Sequence, residues 1–215
     1  MTRLRKFAPV IGVLAIMFVV GAAEFIAMGK LKAEAVHLVG NTMPGLSHSG
    51  TVNADLAENF IRTLLVIRSD NPAERTAYLN EIARISKQID GDLQHYEEAI
   101  NDDKNRKLYD GLVVKRRDYN EVRQQVFALV TEGKKDEALR LSKSALLPAY
   151  MNYTGAGESL FNYNIQLGRG QGQQILRIYN STRFLVAIIA ITSFIFGFLT
   201  PFLLIRFGGP PDILH

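Results

Sequence analysis

Apolar residues follow two kinds of pattern along this chain. Near each end they form a run. No charged residue occurs between Phe7 and Ala23, and only Glu24 interrupts the stretch before Lys30; none occurs between Phe184 and Ile205. Each run is close to the ~20 residues a helix needs to cross the hydrocarbon of a bilayer. Between the runs, apolar positions are spaced. Tyr78, Ile82, Ile85, Ile89, Leu93, Tyr96 and Ile100 recur at steps of three and four, which places them on one helical face. Leu108, Leu112, Tyr119, Val122, Val126 and Leu129 form a second stripe. Leu146, Tyr153, Leu160 and Leu167 form a third, with Ala149 and Ala156 between them. Leu31, Ala35, Leu38, Val52, Leu56, Phe60 and Ile67 share one side of a segment from Leu31 to about Arg68. Nothing alternates with the period of two that a half-buried strand requires.

The punctuation agrees with long helices. Ser69-Asp70-Asn71-Pro72 supplies capping residues and then a proline where a missing N–H costs least. Asn101-Asp102-Asp103 ends one stripe and caps the next, and Thr131-Glu132-Gly133-Lys134 reads as a turn. Pro44 and Gly45 either kink the first helix or split it. Four stripes joined by short turns predict an all-α protein. Its expected form is an up-down-up-down four-helix bundle flanked by two transmembrane helices. Four helices also return the chain to the membrane, where the second run begins. The expected division is residues 1–6 as a cytoplasmic N-terminus, 7–29 as the first span, 30–182 as an extracytoplasmic bundle, 183–206 as the second span, and 207–215 as a short cytoplasmic tail.

Charge fixes the expected orientation. Arg3, Arg5 and Lys6 precede the first run, and short basic flanks stay in the cytoplasm. Both termini are then inside and the bulk of the chain is outside. A cleaved signal peptide is the competing reading of the first run. Its small-residue candidate, Gly21-Ala22-Ala23, lies within the run, which favours an uncleaved span. The formal net charge of +4 owes three positives to the N-terminal flank, and the charges of the middle are scattered, so no nucleic-acid partner is expected. Cysteine is absent, and the bundle must rest on its packing rather than on disulfides.

Candidate chemistry is sparse. The four histidines, His37, His48, His95 and His215, do not pair at helical spacing, so neither a metal centre nor an enzyme is expected, and no cofactor. Gly168, Gly170 and Gly172 follow no strand; they read as a flexible or frayed part of the fourth helix rather than a phosphate cradle. Asn152-Tyr153-Thr154 and Asn180-Ser181-Thr182 match glycosylation sequons and read as ordinary helix residues. The densest basic cluster is Lys115-Arg116-Arg117. Lys115 fills the step between Leu112 and Tyr119, where the stripe should be apolar, and a buried cation needs an acidic side chain or an anionic ligand.

The order of basic start, span, long helical domain and second span resembles the four-helix-bundle sensor domain of methyl-accepting chemotaxis receptors and related bacterial transducers. Asp70-Asn71-Pro72-Ala73-Glu74-Arg75 resembles that family's connection between its first two outer helices. Glu132-Gly133-Lys134-Lys135-Asp136-Glu137-Ala138 resembles its entry into the fourth, and Leu147-Pro148-Ala149-Tyr150 its next, proline-containing stretch. The resemblance covers roughly residues 1–205. It implies a two-pass protein of the bacterial inner membrane, dimeric, sensing a small periplasmic ligand or a ligand-loaded binding protein. Some members grip a ligand carboxylate with arginines of the first helix and polar groups of the fourth. The positions that answer to this are Arg62 and Arg68, with Tyr150, Tyr153 and Thr154; Lys115 and Arg116 join them as the basic cluster. The end departs from the family. Where a HAMP linker and signalling segment are expected, Arg206-Phe207-Gly208-Gly209-Pro210-Pro211 stops the helix. The expectation is an input module whose output half is missing, with a structural or adaptor membrane protein as the rival.

Overall fold

A computed structural model describes the backbone of residues 2–207 and the side chains of residues 12, 15 and 17–195. The expected tail beyond Phe207, with His215, lies outside the described residues, as do the side chains of Arg3, Arg5 and Lys6. The described chain is helical with short connections: α1 (Thr2–His37), a π turn (Leu38–Thr42), α2 (Met43–Arg68), α3 (Pro72–Glu98), α4 (Asp103–Thr131), α5 (Lys135–Leu141), a second π turn (Ser142–Leu146) and α6 (Leu147–Phe207). It divides into two compact units, Val36–Gln171 and the described parts of Met1–Ala35 with Gly172–His215.

Val36–Gln171 is a four-helix bundle whose fourth member is α5, the second π turn and α6 as far as Gln171. Cross-helix pairs set an antiparallel register. His48 meets Asp92 and Asn59 meets Ile82 between α2 and α3. Arg106 meets Glu97 and Arg116 meets Asp90 between α3 and α4. Tyr163 meets Asp102 while Tyr119 meets Tyr153 between α4 and α6. Phe60 meets Tyr150 and Thr42 meets Gln171 between α2 and α6. This is the up-down-up-down order that the stripes predict.

The core follows those stripes. Val52, Leu56 and Ile67 of α2, Ile82, Ile85, Ile89, Leu93 and Tyr96 of α3, and Leu112, Tyr119 and Val126 of α4 are buried. So are Leu146, Tyr153 and Leu160 of the fourth member. Interdigitation of three- and four-residue ridges is the packing expected of near-parallel helices.

The caps work as the sequence implies. Asn71 accepts from the Ala73 N–H at 2.9 Å, with Pro72 at the first helical position. Asp102 accepts from the Asn105 N–H at 2.9 Å, and its other oxygen accepts from the Tyr163 hydroxyl at 2.7 Å. Gly133 has φ of +77°, the left-handed conformation that glycine adopts without penalty. Asp102→Ala removes both the cap and the tie to α6. The expected cost is about 1–2 kcal/mol, read from chemical denaturation of the full chain; a loss under about 0.3 kcal/mol would show the cap to be redundant.

Pro44 does not split the first helix, which runs on through a π turn into α2. The helix widens just ahead of it instead, and the Met43 N–H donates to Leu38 O, five residues back. The same arrangement recurs before Pro148, where the Leu147 N–H donates to Ser142 O. A proline clashes with the carbonyl four residues before it and offers no N–H, so a wider preceding turn relieves it without breaking the helix. The glycine stretch is not frayed: α6 continues through Gly168, Gly170 and Gly172. A Cβ at Gly168 would stand 3.5 Å from Thr42 Cγ2, which shows how closely α6 passes the first π turn.

In the other unit, Gln174 donates to Glu34 Oε1 at 2.8 Å. A largely apolar groove of about 290 Å³ is lined there by Met28, Leu31, Ile178, Tyr179, Arg183 and Val186, among others. Phe18, Phe25, Phe184 and Ile191 are exposed. Among the described residues one helical stretch, Lys135–Ile195, is long and apolar enough by length and composition to cross a membrane.

Candidate functional site

Polar side chains gather at mid-height in the bundle, at positions that the apolar stripes would otherwise fill. On α2, Asn59 and Thr63 are buried at steps of three and four from Leu56. On α4, Arg116 and Arg123 flank Tyr119, again at steps of three and four. On α6, Tyr153 is 2% exposed. Asn59, Arg116, Tyr119, Arg123 and Tyr153, with Leu56, Ser86, Ile89 and Asn120, line a cavity of about 10 Å³, room for one water-sized occupant.

Its hydrogen bonding is uneven. Asn59 donates to Ile82 O and to Ser86 Oγ, at 3.3 and 3.1 Å, and its own oxygen accepts from Arg123 Nη1. The Arg123 guanidinium lies 5.3 Å from the Tyr119 ring centroid, a cation–π distance. Tyr119 and Thr63 hydroxyls are 3.5 Å apart. Arg116 donates to Asp90 Oδ1 at 2.6 Å and to Ser86 O at 3.2 Å. The buried Tyr153 hydroxyl has no hydrogen-bond partner among the described residues. Burial lowers the pKa of Arg123 and raises those of Tyr119 and Tyr153. For the tyrosines this favours the neutral hydroxyl, which can still donate a hydrogen bond.

The expected site residues are scattered rather than joined. Lys115 is not the buried cation. Its side chain is 44% exposed and pairs with Asp118 at 3.6 Å on its own helix, whereas that of Arg116 is 16% exposed and turns inward. Arg62 is held by Glu58 at 3.1 Å and by Glu81, so its charge is already matched. Arg68 is exposed at the end of α2, where its carbonyl accepts from Lys135 Nζ at 3.1 Å. Tyr150 stacks on Phe60 with ring centroids 3.8 Å apart. Thr154 bonds back to Tyr150 O and Met151 O. Of the seven, only Arg116 and Tyr153 line the cavity.

Sequence spacing also missed a histidine pair. His48 contacts Asp92 at 2.8 Å and stacks on His95 at 5.4 Å, joining α2 to α3. Such pairing across helices leaves no mark at i+3 or i+4. No group of three or more His, Cys, Asp or Glu suited to holding a metal ion is found among the described residues.

Against curated proteins the chain finds no match. A family model described as a four-helix-bundle sensory module for signal transduction matches residues 5–179. That span takes in nearly all of α1, the whole of α2 to α5, and the part of α6 that packs in the bundle. The chain therefore belongs to the family of four-helix-bundle sensory modules for signal transduction.

Proposed function

We propose that the protein is a two-pass sensor of the bacterial inner membrane, of the chemoreceptor input type and working as a homodimer. Its bundle faces the periplasm, where a small ligand or a ligand-loaded binding protein biases two packings of the helices. Family membership over residues 5–179 carries this reading. The exposed Phe18, Phe25, Phe184 and Ile191 support the membrane part, since water leaves such a surface uncompensated and lipid does not. Partly buried Arg116 and Arg123 beside buried Tyr119, Tyr153 and Asn59 give the bundle interior a polar layer that helix packing alone does not call for, which favours a sensor over an adaptor. A ligand shifts the bundle only by its difference in affinity for the two packings, and the shift belongs to the small helix translations known for such switches. The chain's own polypeptide carries that shift in α6, which keeps helical backbone from Leu147 to Phe207.

The test has two arms. A reporter active only outside the cytoplasm is fused after Asn101, in the α3–α4 connection, and in a second strain after His215. The first fusion is expected to be active and the second silent; the reverse pattern overturns the topology. Residues 1–205 are also joined, in helical register, to the HAMP and signalling segments of a working chemoreceptor. Kinase control by at least one compound of a broad panel of amino acids, organic acids and aromatics is expected. Stable, inserted hybrids that stay locked across all registers and ligands would favour the adaptor.

A further inference from the structure

We infer that the mid-bundle cavity is a binding site for a small monovalent anion of about halide size, held by Arg123, Arg116 and the hydroxyl of Tyr153. The donors there outnumber the acceptors. Arginine only donates, and the Tyr153 hydroxyl, 2% exposed and facing two guanidinium groups, has no acceptor among the described residues. The charges are also unequal. Arg116 has Asp90 beside it, but that carboxylate is 65% exposed and matches its partner from the rim. Arg123 has no carboxylate partner among the described residues; its acceptors are neutral, the amide of Asn59 and the hydroxyl of Tyr119. A cation so placed calls for an anion or a large desolvation penalty remains. Water in the cavity would accept from Tyr153 and leave the charge uncompensated. Size narrows the choice. At about 10 Å³ the cavity admits one water or, with slight yielding, a halide, and excludes an amino acid or a dicarboxylate. The anion would sit within one protomer and join α4 to α6 through side chains of both. This inference does not depend on the sensory reading.

The full chain in zwitterionic detergent is melted at neutral pH and constant ionic strength while chloride replaces gluconate, and unfolding is followed by circular dichroism. Binding predicts a Tm that begins to rise near Kd and then climbs with the logarithm of chloride, by about 5 °C at a hundredfold excess over Kd. The excess ³⁵Cl linewidth at fixed protein should fall to half at the half-saturating chloride concentration. Tyr153→Phe keeps the ring and loses the donor, so it should raise the half-saturating chloride concentration about tenfold. Arg123→Gln should abolish the response. Equal melting in chloride and gluconate overturns the site. So does a chloride response of equal midpoint in wild type and Tyr153→Phe, a variant whose packing is intact even if Arg123→Gln fails to fold.

Discussion

Tyr96→Ala is expected to destabilise the bundle by about 3–5 kcal/mol, a large share of the 5–15 kcal/mol typical of a domain. Its ring is 1% exposed and stacks on Tyr109 with centroids 5.9 Å apart. Its hydroxyl donates to Asn105 Oδ1 at 2.6 Å and accepts from Asn164 Nδ2, also at 2.6 Å. One side chain of α3 thus ties α4 to α6. It also lies against α2, where a Cβ on Gly45 would stand 3.6 Å from Tyr96 Cε2. Tyr96→Phe keeps the volume but takes the donor from buried Asn105 Oδ1 and one acceptor from Asn164 Nδ2, which keeps its bond to Leu160 O, so its expected cost is about 1–3 kcal/mol. Denaturation of wild type and both variants separates the two terms. If the phenylalanine variant matches wild type within about 0.3 kcal/mol, the polar layer contributes nothing net. If it matches the alanine variant, the ring's volume is irrelevant and the packing argument fails.

The second large effect is expected at Asn59. Asn59→Leu fills the space but removes the acceptor of Arg123 and the donor to Ile82 O and Ser86 Oγ. A cation left without its partner in a low-dielectric setting costs about 3 kcal/mol. Adding Arg123→Met removes the stranded charge. The double variant should recover at least half of the loss, and the non-additivity is itself the measure of the pair. Additive losses would mean that Arg123 reaches solvent freely when Asn59 is gone.

The bundle was readable because its stripes are mostly apolar, and hydrophobic periodicity reports burial directly. The site was not, because it uses polar residues in the same phase. On α4 the inward positions run Asn105, Tyr109, Leu112, Arg116, Tyr119, Arg123, Val126 and Val130, with steps of four and three in strict alternation. Taking Leu108 as the inward residue loses that phase and leads to Lys115 instead of Arg116. From the end of the first π turn through α2 the run is Thr42, Gly45, Ser49, Val52, Leu56, Asn59, Thr63 and Val66, all buried. An alternation extended through its polar members would have found Asn59 and Arg123. Arg62 stands out through the resemblance to first-helix arginines that grip a ligand, and only the folded structure reveals that Glu58 and Glu81 already pair with it. Asn164 and Gln171 lie beyond Leu160 in steps of four and seven, hidden for the same reason.

The two π turns have a further consequence, for how this chain is aligned with its relatives. A π turn holds one residue more than an α-helix needs over the same path. Leu38–Thr42 and Ser142–Leu146 therefore act as absorbed insertions, each lodged just before a proline. Heptad numbering does not run through them; the phase that serves α2 begins with Thr42 and the phase that serves α6 with Leu146, the last residues of the two turns. They are also the places where evolution can add or drop a residue without rotating the helix on the far side. A single-residue gain in the middle of α3 or α4 would rotate the rest of that helix by about 100° and carry Ile89 or Val126 out of the core. Gaps between this sequence and its relatives should therefore gather at those two turns and at the connections, and leave the interiors of α3 and α4 ungapped.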